Sequence, residues 1–121
     1  MIQDDLQIEI KDSLFDPDQR EGKMGFKRSS SSKNLYKVWI YLDGRDIGLM
    51  DKVTYKLHPS FRKPIHHIRR DSANSLFKLP IWTWGIFHVY AEVKTIDGGR
   101  YNLAHKLEYF KDLPSAKIRM G

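Results

Sequence analysis

The chain has 121 residues, a formal net charge of +6 and no cysteine. This length suits one domain and is too short for two well-formed hydrophobic cores. The lack of cysteine excludes disulfide bonds and thiolate metal sites, and the positive charge favours acidic partners.

The hydrophobic pattern argues against a membrane-spanning segment. No stretch approaches the roughly 20 consecutive apolar residues that a membrane helix needs, so no membrane insertion is expected. Apolar residues make up 40% of the chain, which is enough for a globular core.

The first predicted strand lies at 6–11, where apolar and charged residues alternate strictly. From 13 to 33 this pattern is lost among charges, serines, glycines and a proline, so the segment is predicted to be a long mobile loop. Aromatic and β-branched residues then predict a strand at 36–42, with Trp39 in the core.

The middle of the chain contains short apolar stretches separated by proline and glycine. Asp43-Gly44 is typical of a turn. Strands are predicted at 52–57, 66–70 and 76–79, the last of them ended by Pro80.

The last third of the chain has the clearest alternation. Strands are predicted at 86–95 and 100–110, joined by a hairpin turn at Asp97-Gly98-Gly99. Residues 111–121 have no period, and no segment has a helical stripe. The pattern therefore predicts an all-β protein, an antiparallel sandwich of seven or eight strands.

Two motifs are more specific than the strand pattern. They are Val53-x-Tyr55-Lys56-Leu57-His58-Pro59-Ser60-Phe61 and Thr83-Trp84-Gly85-Ile86-Phe87, and His105-Lys106-Leu107 follows them. In this order and at these intervals, the chain resembles the YEATS domain family, and its prokaryotic branch most of all. The resemblance implies an immunoglobulin-like β-sandwich over residues 1–110, with 111–121 as a tail or a linker within a larger chain. It also implies a location in the cytoplasm if the protein is prokaryotic and in the nucleus if it is eukaryotic.

The resemblance further implies that loops at one end of the sandwich bind an acylated lysine of a protein or peptide. Phe61 and Trp84 would be the two aromatic walls, and His58 and Ser60 would hydrogen-bond the acyl amide. The backbone N–H of Trp84 would meet the acyl carbonyl, and Gly85 would allow a close approach.

Two departures from the family pattern leave the shape of this site open. Thr83 stands where eukaryotic relatives have glycine, so Trp82 rather than Trp84 could form the second wall. Leu35 stands where some relatives place a further aromatic wall.

Elementary chemistry supports a flat, uncharged ligand. Acylation turns a lysine ammonium into a planar amide, which suits stacking between aromatic faces. A serine hydroxyl can both donate to and accept from that amide. Because neither 57–61 nor 83–87 contains a carboxylate, the motifs favour acyl-lysine over a cationic methyl-lysine.

Alternative functions have weaker support. The basic residues Arg62, Lys63, Arg69 and Arg70 could make weak nucleic-acid contacts, and the sandwich could also be a scaffold for another partner. No cofactor is expected. No metal site is expected either, because His88 and His105 could meet from separate strands but no carboxylate partner can be assigned to them from the sequence. No catalytic motif is present, and His58 and Ser60 would lie about 7 Å apart in an extended segment, too far for a nucleophile and its base.

Overall fold

Strands with alternating buried and exposed side chains make up most of the described chain. The structure, a computed structural model, describes residues 6–18, 26–28, 34–83 and 85–109. The strands are Glu9–Ser13 (β1), Phe26–Arg28 (β2), Asn34–Asp43 (β3), Met50–Lys56 (β4), Ile65–Arg69 (β5), Leu79–Thr83 (β6), His88–Thr95 (β7) and Arg100–Lys106 (β8). Short 3₁₀ helices occupy Arg45–Leu49 and Ser72–Asn74.

The strands form two antiparallel sheets. In the first sheet, β3 pairs with β1, β2 and β6. In the second sheet the order is β5-β4-β7-β8, with every neighbouring pair antiparallel. The prediction of an all-β antiparallel sandwich is therefore confirmed.

The core lies between the two sheets and is built from alternate strand positions. Its buried side chains include Val38, Ile40, Leu42, Val53, Tyr55, Val89, Ala91 and Val93. The hydroxyl of Tyr55 donates a hydrogen bond to the Phe77 carbonyl oxygen at 2.8 Å. Burial raises the pKa of Tyr55, so this hydroxyl remains a donor.

The strand predicted at 76–79 is wrong, because the strand runs from Leu79 to Thr83 and includes Pro80. Proline is tolerated there because β6 pairs only with β3 among the described strands, so a missing N–H disrupts no second ladder. Phe77, which was assigned to the strand, has a positive φ of 55° and ends a turn.

Two other predictions need correction. The segment 13–33 is not free of regular structure, since it contains β2 and the buried Leu14. Trp39 is not in the core: it lies half-buried on the outer face of the first sheet, with the ammonium groups of Lys37 and Lys78 at 4.7 and 5.5 Å from its ring centroid. The predicted tail 111–121 lies outside the described residues.

No helix in the described ranges is long and apolar enough to cross a bilayer.

Candidate functional site

An open groove lies at one end of the sandwich, where the loop between β4 and β5 meets the loop between β6 and β7. Its volume is about 440 Å³. It is lined by Leu35, His58, Ser60, Phe61, Arg62, Trp82, Thr83, Gly85, Ile86 and Phe87. Segments that are far apart in sequence therefore converge on one surface.

The β4–β5 loop is a tight turn, closed at its base by a hydrogen bond from the Leu57 N–H to the Pro64 carbonyl at 2.7 Å. The Phe61 N–H donates to the His58 carbonyl at 3.1 Å, so the backbone reverses instead of extending. This turn overturns the expected 7 Å separation of His58 and Ser60 (an estimate for extended backbone), because their Nδ1 and Oγ atoms lie 2.9 Å apart.

The hydrogen bonds within this turn set the roles of its polar atoms. The Ser60 backbone N–H donates to His58 Nδ1 at 3.1 Å, so Nδ1 is an acceptor and the ring proton belongs on Nε2. The Ser60 hydroxyl then directs its own proton to Nδ1. Its oxygen lone pairs remain able to accept an N–H from a ligand.

The aromatic wall of the groove depends on Phe87, which lies in the strand predicted at 86–95. The rings of Phe61 and Phe87 lie 5.2 Å apart at 59°. The His58 ring lies 6.2 Å from Phe87 at 61°. Phe87 thus supports both ring-bearing side chains of the β4–β5 loop, within the usual range of aromatic contacts.

The β6–β7 loop is fixed from two sides. The Gly85 N–H donates to the Thr83 hydroxyl at 3.3 Å, and the Tyr109 hydroxyl donates to the Gly85 carbonyl at 3.0 Å. Burial, with smaller effects of Tyr36 and Asp12, raises the pKa of Tyr109 to about 12, so this hydroxyl stays protonated. The Leu107 N–H also donates to the Phe87 carbonyl at 3.1 Å.

The structure brings most of the predicted site residues together. His58, Ser60, Phe61, Thr83 and Gly85 all line the groove, and so do both alternative wall residues, Leu35 and Trp82. Trp84 lies outside the described residues. Open space adjoins the Cα of Gly85, because a Cβ built there meets no atom within 4 Å.

The predicted basic patch is not one surface. Arg62 lines the groove, whereas Arg69 is the last residue of β5 and faces outward with Lys52. Arg70 donates to the carbonyl of Gly48, which lies in the first 3₁₀ helix. A whole strand, about 16 Å long, separates Arg62 and Lys63 from Arg69 and Arg70.

A polar cluster centred on the buried Asp12 was not predicted. The Asp12 carboxylate accepts from His105 Nε2 at 2.6 Å and from the Glu108 N–H at 3.0 and 3.1 Å. Asp12, His105 and Glu108 offer three potential metal-ligand atoms within 4.8 Å of one another. Through these hydrogen bonds, Asp12 of β1 connects the first sheet to the residues at the end of β8 in the second sheet.

Comparison with known proteins identifies the family of this domain. The prokaryotic YEATS domain family model matches residues 36–108. Subunit 14 of transcription initiation factor TFIID from Schizosaccharomyces pombe is 34% identical over 65 residues, which cover 53% of this chain and 25% of that protein. The chain therefore spans about a quarter of the length of this curated relative.

Solved structures share the fold at lower identity. The Yaf9 YEATS domain recognising an H3K122suc peptide superposes with a TM-score of 0.58 and 18% identity, covering 88% of this chain and 74% of that chain. The yeast AF-9 homolog Yaf9 gives a TM-score of 0.55 and 17% identity, covering 85% and 65%. These neighbours support the immunoglobulin-like sandwich, and the family match extends over more than half of the chain. The chain belongs to the prokaryotic YEATS domain family.

Proposed function

We propose that this domain is a reader module that binds an acylated lysine of a protein or peptide in the groove. One observation carries the proposal: a half-buried Phe61 ring and the His58–Ser60 pair line the same open groove, with no carboxylate among the lining residues that the structure describes. The ligand of the solved Yaf9 YEATS domain, an H3K122suc peptide, agrees with a peptide partner.

The proposed binding mode follows from the chemistry of the acyl amide. Its plane stacks on Phe61, which is held in place by Phe87. Its N–H donates to the Ser60 oxygen, whose own proton is directed to His58. Trp82 lines the groove and is a candidate second wall, with Trp84 as the alternative.

The charge of the groove selects against a free ammonium group. Arg62 is the charged residue among the lining side chains. A cationic lysine would lose its hydration there without gaining a carboxylate partner. A neutral acyl group avoids this cost, and an acyl group that ends in a carboxylate would be attracted by Arg62.

We infer a binding rather than a catalytic role. The His58–Ser60 hydrogen bond meets the distance requirement for a base and a nucleophile. Such pairs also need a third group that orients the base. Among the described residues, no carboxylate hydrogen-bonds to His58, whose ring contacts Ser60 through Nδ1.

Phe61→Ala is expected to weaken acyl-peptide binding by at least about tenfold, because truncation removes the stacking surface. Isothermal calorimetry should be run with acetyl-, crotonyl- and succinyl-lysine peptides and with the unmodified peptide. We expect micromolar to millimolar affinity for acyl peptides, since one small group offers limited contact area.

Phe15→Ala is the matched control, because Phe15 is an exposed phenylalanine that does not line the groove. Equal binding by Phe61→Ala and the wild type, or no heat with any acyl peptide, would refute the proposal.

Tyr109→Phe is expected to reduce acyl-peptide affinity about threefold to tenfold, because the Gly85 carbonyl loses its hydroxyl partner and the β6–β7 loop loosens. Tyr55→Phe is the matched control: it also removes a hydroxyl that donates to a carbonyl, but neither Tyr55 nor Phe77 lines the groove. Each variant should lose about 1 kcal/mol of folding free energy in thermal unfolding. If both lose affinity equally, Tyr109 has no specific effect on the loop.

A further inference from the structure

The outer face of the β5-β4-β7-β8 sheet carries an unusual row of positive charges. The strand register places Arg69 opposite Lys52, Lys52 opposite Lys94, and Lys94 opposite Arg100. These four residues, here called the cationic row, cross all four strands. Neighbouring strands are about 4.8 Å apart, so the row is about 14 Å long.

All members of the cationic row face solvent. Side chains alternate along a strand, and Val53 and Val93, next to Lys52 and Lys94, are fully buried on the inner face. Paired residues of neighbouring strands share a face, so Arg69 and Arg100 point outward as well. Both are exposed.

The positively charged side chains of the two sheets differ in whether they form ion pairs. Around the first sheet, Lys11 pairs with Asp43 at 2.9 Å, and Lys78 pairs with Asp16 and Asp18 at 2.9 and 2.6 Å. Among the residues that the structure describes, no member of the cationic row forms an ion pair. Like charges directly opposite each other on a sheet destabilise it, so the row costs stability unless an external anion occupies it.

An aromatic zone lies on the same face, four residues along β7 from the row. Tyr90 is 52% exposed, and its ring stacks with His88 at 6.2 Å and 18°. Lys56 lies opposite Tyr90, and Lys106 lies opposite His88. A shallow pocket of about 310 Å³ adjoins Tyr90.

We propose that this outer face binds a single-stranded nucleic acid. Its phosphates would lie on the cationic row, and a base would stack on Tyr90. Proteins that bind single strands combine a positive track with exposed aromatic rings in this way. The two zones are about 13 Å apart along β7, so one strand can reach both.

The exposed ring distinguishes this ligand from other polyanions. An acidic peptide or an anionic lipid surface would use the positive charges but would not need Tyr90. A regular duplex keeps its bases stacked inside, so it offers the ring no base face. Glu92 lies between the two zones on the outward face, and it faces Thr54 and Asn102 across the sheet.

The test is a fluorescence anisotropy titration of a labelled single-stranded oligonucleotide of about 15 nucleotides, long enough for one binding site. We expect a log–log salt slope of about −3 for four phosphate contacts between roughly 50 and 200 mM salt. The double variant Lys52→Gln and Lys94→Gln should bind at least about tenfold more weakly and halve that slope. The melting temperature of this double variant should not fall, because all three like-charge contacts of the row are relieved.

Matched variants test whether oligonucleotide binding is specific to this face. The double variant Lys11→Gln and Lys37→Gln removes the same charge from the opposite sheet and should bind nearly as the wild type does. Tyr90→Ala should weaken binding by at least about fivefold, whereas Tyr90→Phe should keep most of it. Acyl-peptide binding should be unchanged in all of these variants.

Three outcomes would overturn the proposal. In the first, the two lysine double variants lose affinity equally, which reflects net charge alone. In the second, the duplex of the same sequence binds as tightly as the single strand and Tyr90→Ala has no effect. In the third, vesicles of phosphatidylserine and phosphatidylcholine bind through the cationic row while oligonucleotides do not, and the face is then a lipid-docking surface.

Discussion

Gly44→Ala is expected to lower the free energy of unfolding by about 4 kcal/mol, combining backbone strain with a clash against neighbouring backbone. Gly44 has φ 143° and ψ 164°, a region that is essentially restricted to glycine. A Cβ at this position would overlap the Gln7 carbonyl oxygen and lie 2.9 Å from both the Gln7 carbonyl carbon and the Ile8 Cα.

The Gln7 backbone cannot easily move away from such a Cβ. Its N–H donates to the Asp46 carboxylate at 2.8 Å, and its carbonyl accepts from the Asp46 N–H at 3.1 Å. Asp46 lies in the 3₁₀ helix that follows Gly44 directly. Gly44 therefore lets the turn after β3 lie against the segment that leads into β1.

Gly48→Ala is the matched control for this prediction. Gly48 lies four residues further along the same turn, has no positive φ, and would place its Cβ in open space. We expect its stability to change by less than about 0.5 kcal/mol in urea or thermal unfolding. Similar losses in the two variants would show that Gly44 has no special role.

The strands that the sequence predicts best are those with one face in the core and one face in solvent. Val89, Ala91 and Val93 are buried at alternate positions of β7, as their pattern indicates. The hairpin at 97–99 is confirmed by the hydrogen bond from the Thr95 N–H to the Gly99 carbonyl at 2.8 Å. Alternation of apolar and polar residues predicts these strands well, because one face of each sheet packs on the core and the other face is in solvent.

Elements without alternation could not be predicted in this way. β2 has only three residues and no local pattern, because it depends on pairing with β3. Pro80 pointed to a strand end, yet an edge position removes the penalty for a missing N–H. Both outcomes depend on tertiary neighbours that a single stretch of sequence does not contain.

The sequence predicted those groove residues that lie within the two motifs. The two loop motifs supplied His58, Ser60, Phe61, Thr83 and Gly85, and the structure places all of them on one surface. The supporting residues were harder to find. Phe87 lies within a motif and in the strand predicted at 86–95, but no role in the groove was predicted for it. Tyr109 acts through a hydrogen bond to Gly85 from 24 residues away.

The alternation of β1 contains a signal for Asp12. Extending the alternation of Ile8 and Ile10 by one step places Asp12 on the inward face of β1, where a carboxylate is rare. Its partner His105 is 93 residues away. A polar residue at a core position predicts that some partner exists, but it does not identify that partner.

Asp12→Ala is expected to lower the free energy of unfolding by about 3 kcal/mol, because it leaves two part-buried donors without an acceptor. The Asp12 side chain has no exposed surface, and it accepts from the His105 ring and the Glu108 N–H. Thermal unfolding should show a decrease in melting temperature of about 12 °C for a domain of this size. Because Glu108 precedes Tyr109, the variant should also weaken acyl-peptide binding through the Gly85 loop.

Asp43→Ala is the control for Asp12→Ala, since Asp43 pairs with Lys11 at 2.9 Å on the exposed surface next to the same strand. Its effect should stay below about 1 kcal/mol, because exposed ion pairs contribute little. In a double-mutant cycle with His105→Ala, the two losses should be clearly less than additive, because each change removes the same contact. Full additivity would mean that Asp12 and His105 stabilise the fold independently, and the link between the two sheets would then have to come from the Glu108 N–H alone.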